Sequence, residues 1–204
     1  MPLPFDDFVA DAISRGETDF DYGSPSNAQN LLIEFNLGIG GPIAKHGLEP
    51  IGKAIWYLYG CCSNTTHDAL DPSADSGLPE FYRSLEELYN NGFAQYCENT
   101  AGHSDCNPNS FATACYMLWD MDSGLEYHTL GGRPELFPFA EKLIDFGLAH
   151  KHVAVQESFL HCLGHLHYVR ASFVGSKIKQ FLRRSDLDAA IREYALRCQS
   201  GGIQ

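Results

Sequence analysis

A chain of 204 residues that is 44% hydrophobic, with 13 Phe, 10 Tyr and 2 Trp, can bury one sizeable core without disulfide or metal staples, which argues against disorder. No run approaches the roughly 20 apolar residues of a membrane span, and the start, Met1-Pro2-Leu3-Pro4-Phe5-Asp6-Asp7, lacks a basic stretch leading into an apolar one, so a cytoplasmic location is expected. Residues 1–132 hold four cations (Arg15, Lys45, Lys53, Arg83) against nineteen Asp and Glu, a balance of −15, while residues 133–204 carry +3, which disfavours nucleic acid or a membrane as partner and favours a basic protein.

In chain order, apolar groups at helical spacing predict a helix over 5–14, ended by Gly16. Residues 16–29, rich in Gly, Asp, Ser, Pro and Asn, read as a loop, and Gly38-Ile39-Gly40-Gly41-Pro42 reads as a turn because it lacks the Lys-Ser/Thr of a phosphate-binding loop. From residue 48 onward the 3.6-residue period predicts helices over 49–62, 79–98, 109–121, 134–149, 152–168, 174–184 and 186–199. Asp71-Pro72, Asn107-Pro108 and Gly131-Gly132-Arg133-Pro134 separate them, and no segment has sustained β alternation. The class is all-α in a single domain, with an N-terminal helix and loop (1–45) packed on a helical-hairpin part (46–204).

Three apolar helices, 54–61, 114–121 and 158–165, are each followed after a loop by a more charged one, the sign of stacked antiparallel hairpins. The string Ala154-Val155-Gln156-Glu157-Ser158-Phe159-Leu160-His161-Cys162-Leu163-Gly164-His165-Leu166, followed by Ser176-Lys177-Ile178-Lys179-Gln180-Phe181-Leu182, resembles a HEAT-like repeat unit. In that family an A-x-x-A-L-x-x-L-G-x-L helix precedes an L-x-x-x-L helix. The chain is also similar to bacterial proteins carrying E-S-x-L-H-x-L-G-H downstream of Y-M-L-W-D. The resemblance implies an α-α superhelix with an extended interaction surface.

The sharpest chemical motif is Glu157, His161 and His165, with His167 beyond. At four-residue spacing these side chains span only about 80° of a helix, opposite an apolar stripe of Val155, Phe159, Cys162, Leu163 and Leu166. Two imidazoles and a carboxylate suit zinc or iron. Further ligands would come from His128, Glu126, Asp120, Asp122, His150 or His152. The pattern is neither H-E-x-x-H nor the E-x-x-H of di-iron bundles. It also lacks the His-Glu dipeptides with which the HEAT-like deoxyhypusine hydroxylase holds iron. The simpler expectation makes this the wet side of an outer helix, with Leu160 and Leu163 buried and Leu163 mattering more to folding than either histidine.

Cys97, His103 and Cys106 lack the paired short spacings of a structural zinc site, no CxxC pair occurs, and Cys61-Cys62 ahead of His67 reads as packing. All seven cysteines are expected as reduced thiols. Trp56, Trp119, Tyr57, Tyr59 and Tyr116 belong to apolar runs and are expected in the core, whereas Tyr127 and Tyr168 have polar neighbours and are surface candidates. The leading functional expectation is a non-catalytic interaction module, in one version an immunity or inhibitor protein, that needs no cofactor. It would bind a basic protein through Asp120, Asp122, Glu126, Tyr127 and Tyr168. The alternative is a metal-dependent enzyme centred on Glu157, His161 and His165.

Overall fold

The computed structural model describes residues 4–15, 21–60, 62–101, 109–121 and 124–203. Helix α1 (Phe5–Ser14) has Asp6 and Asp7 in its first turn, where they complement the helix dipole, and ends at Arg15 in the left-handed region (φ 59°). The expected loop over 16–29 ends earlier than its composition suggests, because α2 (Pro25–Leu37) begins inside it. Ser24 accepts a hydrogen bond from the backbone N–H of Asn27, and Pro25 occupies the first turn, where a missing N–H costs nothing. Gly38 and Ile39 break the chain as expected, but Gly40, Gly41 and Pro42 open a short helix, α3 (Gly40–His46).

Helices α4 (Leu48–Tyr59) and α5 (Thr65–Ala69) follow, then a 3₁₀ turn (Pro72–Gly77) and α6 (Leu78–Glu87). A π-helical stretch, Leu88–Phe93, joins α6 to α7 (Ala94–Tyr96). It turns the Tyr89 hydroxyl inward to Ser158 Oγ at 2.8 Å, while Ser158 Oγ lies 2.6 Å from the Cys115 carbonyl. Asn109 caps α8 (Ser110–Met117) by accepting from the Ala112 N–H. Next come α9 (Gly124–Tyr127), a π turn (His128–Gly132), a 3₁₀ turn (Pro134–Leu136) and α10 (Phe137–Ala149). Helix α11 (Val153–Phe181) bends at Arg170, whose φ −142° and ψ 43° are not helical, and α12 (Ala189–Cys198) is capped by Asp188. The bend falls between the two helices expected at 152–168 and 174–184.

Among the described residues the secondary structure is helical without strands, and one core cluster runs from Phe8 to Cys198. No described helix is long and apolar enough to cross a membrane. Helix α11 is the central element, with α8, α10 and α12 packed on it. Phe159 sits against Gly147 of α10, in the space a Cβ would take. The same close approach joins α4 to α8, where a Cβ on Gly52 would overlap the backbone of Ser110 and Phe111. Arg133, itself buried, spans from the Leu70 carbonyl to Asp75 (2.8 Å) and Glu135 (2.8 Å), tying the loop before α10 to the end of α5.

This packing corrects the wet-face expectation for residues 157–165. Leu160 and Leu163 are buried as expected, yet Glu157 and His161 are each only 3% exposed. Three neighbouring helices pack on α11 and every residue from 155 to 164 is buried, so the polar groups there must find partners inside the protein, while His165 stays partly exposed.

Candidate metal centre

Three elements deliver the polar groups. His161 and His165 lie one turn apart on α11, so their rings leave the helix on one side, with centroids 4.8 Å apart. Asp120 sits in the turn that ends α8, its N–H bonded to the Met117 carbonyl, and buried Trp119 and Met121 anchor the chain on either side of it. Glu126 comes from α9.

The Nε2 atoms of His161 and His165 are 3.2 Å apart, and Asp120 Oδ2 is 3.4 Å from the first and 3.3 Å from the second. One ligand atom from each of these three residues lies within 4.8 Å of the others. The short edges form a nearly equilateral triangle. An ion about 2.1 Å from all three atoms would sit about 0.9 Å above its plane and subtend about 104° between ligands, near the tetrahedral angle that zinc adopts.

The outer ring nitrogens also have partners. His161 Nδ1 is 2.8 Å from the Tyr194 hydroxyl, which is 2.8 Å from the Tyr116 hydroxyl, and His165 Nδ1 faces Glu126 Oε1 at 3.5 Å. A partner on the far nitrogen of a metal-binding imidazole fixes the orientation of its ring. The ring of Tyr116 lies 4.2 Å from that of His161, centroid to centroid.

Burial, followed by the nearby Cys198, holds the Tyr194 hydroxyl far above the usual phenol range. Burial likewise raises Tyr116 to about 12, with Glu157 adding to the rise. Both phenols therefore stay neutral at physiological pH. Glu157 lies deeper in α11, close enough for its charge to raise Tyr116, Tyr194 and Cys198, and it is not part of the triangle.

Of the other sequence candidates, Tyr127 is 58% exposed and packs against His67 and His128, while Tyr168 is 76% exposed and donates to the Gly201 carbonyl. Asp122, Cys61, His103 and Cys106 lie outside the described residues. His150 and His152 pair with each other, the His150 Nδ1 accepting from the His152 N–H at 2.9 Å. Cys115, Cys162 and Cys198 are buried free thiols, but Cys62 is exposed and does not pack as expected. Sequence reasoning missed Tyr116 and Tyr194 as a layer behind the histidines. Helix α12 is too far along the chain for any spacing rule to join Tyr194 to His161.

Asp120 also forms part of the wall of a cavity of about 640 Å³, together with Arg15, Lys53, Trp56, Tyr57 and Met121. Comparison of the chain with protein-family models, with curated proteins and with solved structures gives no match.

Proposed function

We propose that this chain is a zinc-dependent hydrolytic enzyme whose metal is held by Asp120, His161 and His165. The observation that carries the reading is the triangle of two Nε2 atoms and one carboxylate oxygen with edges of 3.2–3.4 Å. A zinc ion with three protein ligands supplies a Lewis acid and an acidified water at its fourth position. The chain's own residues do the rest. Glu126 and Tyr194 orient the imidazoles, and the neutral Tyr116 and Tyr194 hydroxyls offer hydrogen bonds beside them. Asp120, 31% exposed at its side chain, and His165, 22% exposed, keep contact with solvent, while His161 is buried at 4%.

Purified without chelators, the protein is expected to carry about one zinc per chain by elemental analysis. After chelation, calorimetric titration with zinc should return the same stoichiometry and raise the melting temperature. A metal-free preparation that takes up no zinc on titration would remove the proposal, and one that takes up iron in its place would change the metal and the reaction class.

A second reading, a stacked-hairpin, HEAT-like scaffold that docks a basic protein, is supported by the −15 balance of residues 1–132 and by the exposed rings of Tyr127 and Tyr168. Complementary charge would speed such an encounter. Immobilised protein is then expected to capture a basic partner at low salt and release it as ionic strength rises. Retention that is indifferent to salt, or no capture at all, counts against it.

A further inference from the structure

The cavity beside Asp120 has a composition that its surroundings do not share. Residues 1–132 contain only four Lys or Arg, and two of them, Arg15 and Lys53, line this one cavity. Scattered surface cations would not be expected to converge in a segment with nineteen acidic groups. The rest of the wall is mixed, with the half-buried Trp56 and Tyr57 and the buried Met121 beside Gly60, Ser110 and the exposed Cys62. A volume of about 640 Å³ is that of a small-molecule site.

Resting on the zinc reading above, we propose that this cavity is the substrate site and that the substrate is a small organic anion. Its carboxylate or phosphate is held by Lys53 and Arg15, its apolar or aromatic body lies along Trp56 and Tyr57, and its other end lies beside Asp120, the one member of the triangle that lines the cavity. Lys53 is available for this role. Its present partner, Glu49 at 3.2 Å, forms an i,i+4 surface pair with both side chains 51% exposed, and such pairs exchange readily for a better anion. Arg15, which closes α1 in the left-handed conformation, is exposed and lines the same cavity. Hydrolysis consumes water and one ester, amide or phosphoester bond, so no co-reactant beyond solvent is needed.

The test uses phenyl phosphate and benzoate as probes, with neutral benzyl alcohol as the uncharged control, titrated into the zinc-loaded and the chelated protein. One or both anions are expected to bind, benzyl alcohol at least tenfold more weakly, and the better anion identifies the headgroup. Lys53→Gln with Arg15→Gln is expected to weaken anion binding at least tenfold while zinc stoichiometry stays at one. Equal binding of the neutral control, or anion binding unaffected by the double substitution, overturns the proposal. If the chain takes up no zinc, the metal reading fails by itself, and the anion site is then judged on the chelated protein alone: binding lost in the double variant sustains it, and no binding overturns it.

Discussion

Replacing His161 by alanine is expected to lower zinc affinity at least about a hundredfold, since even groups that only orient a metal-binding imidazole are worth about 10–100-fold. The same change should destabilise the zinc-free protein by about 2–4 kcal/mol. A surface histidine would cost within about 0.5 kcal/mol, but this ring is buried, bonded to Tyr194 at 2.8 Å and packed on Tyr116. Truncation removes that contact, opens a cavity in the middle of α11 and takes a partner from a buried hydroxyl. Leu163→Ala, at a fully buried neighbour, belongs to the usual range of about 2–5 kcal/mol for such truncations. The two variants should therefore lose stability in the same range of about 2–5 kcal/mol. Denaturant unfolding of both in the presence of a chelator checks it. A His161→Ala protein as stable as the wild type would mean that the ring is not held as described.

The other large effect comes from one added methyl group. In Gly52→Ala the new Cβ would overlap the backbone of Ser110 and Phe111, which cannot swing aside as a side chain can. Overpacking a well-filled contact costs about 1–3 kcal/mol, and here α4 and α8 must separate, so a loss of about 3 kcal/mol or more is expected. The separation also strains the bonds that Glu49 accepts from the Ser110 N–H and hydroxyl, at 2.9 and 2.7 Å. Because α8 runs directly into Asp120, zinc affinity should fall with stability. Gly175→Ala on α11 provides the control. A Cβ there meets nothing within 4 Å, so the variant should gain about 0.5–1 kcal/mol from the alanine's helix propensity. If thermal melts gave both substitutions the same sign, the close approach of α4 and α8 would be disproved.

The helical class was legible in the chain because it depends on neighbours in sequence. Period and caps marked α1, α4, α10 and α12 to within a few residues, and the proline-glycine breaks marked the turns between them. Helix α2 is obscured for a local reason as well, since Ser24-Pro25 is both a loop composition and a helix start. The i,i+4 spacing likewise predicted that His161 and His165 would leave α11 together. Their surroundings were not legible. A helical projection divides residues into two sides, and it assumes that only one is covered, whereas α8, α10 and α12 pack on α11 and bury every residue from 155 to 164. That enclosure turned an expected wet face into a buried site. It also selected Asp120 as the third member of the triangle from six dispersed candidates, left Glu157 outside it, and supplied Tyr194 from 33 residues downstream. Spacing along a chain sets which groups share one helix; which groups meet across helices is decided by packing, and the triangle of side chains exists only at that level.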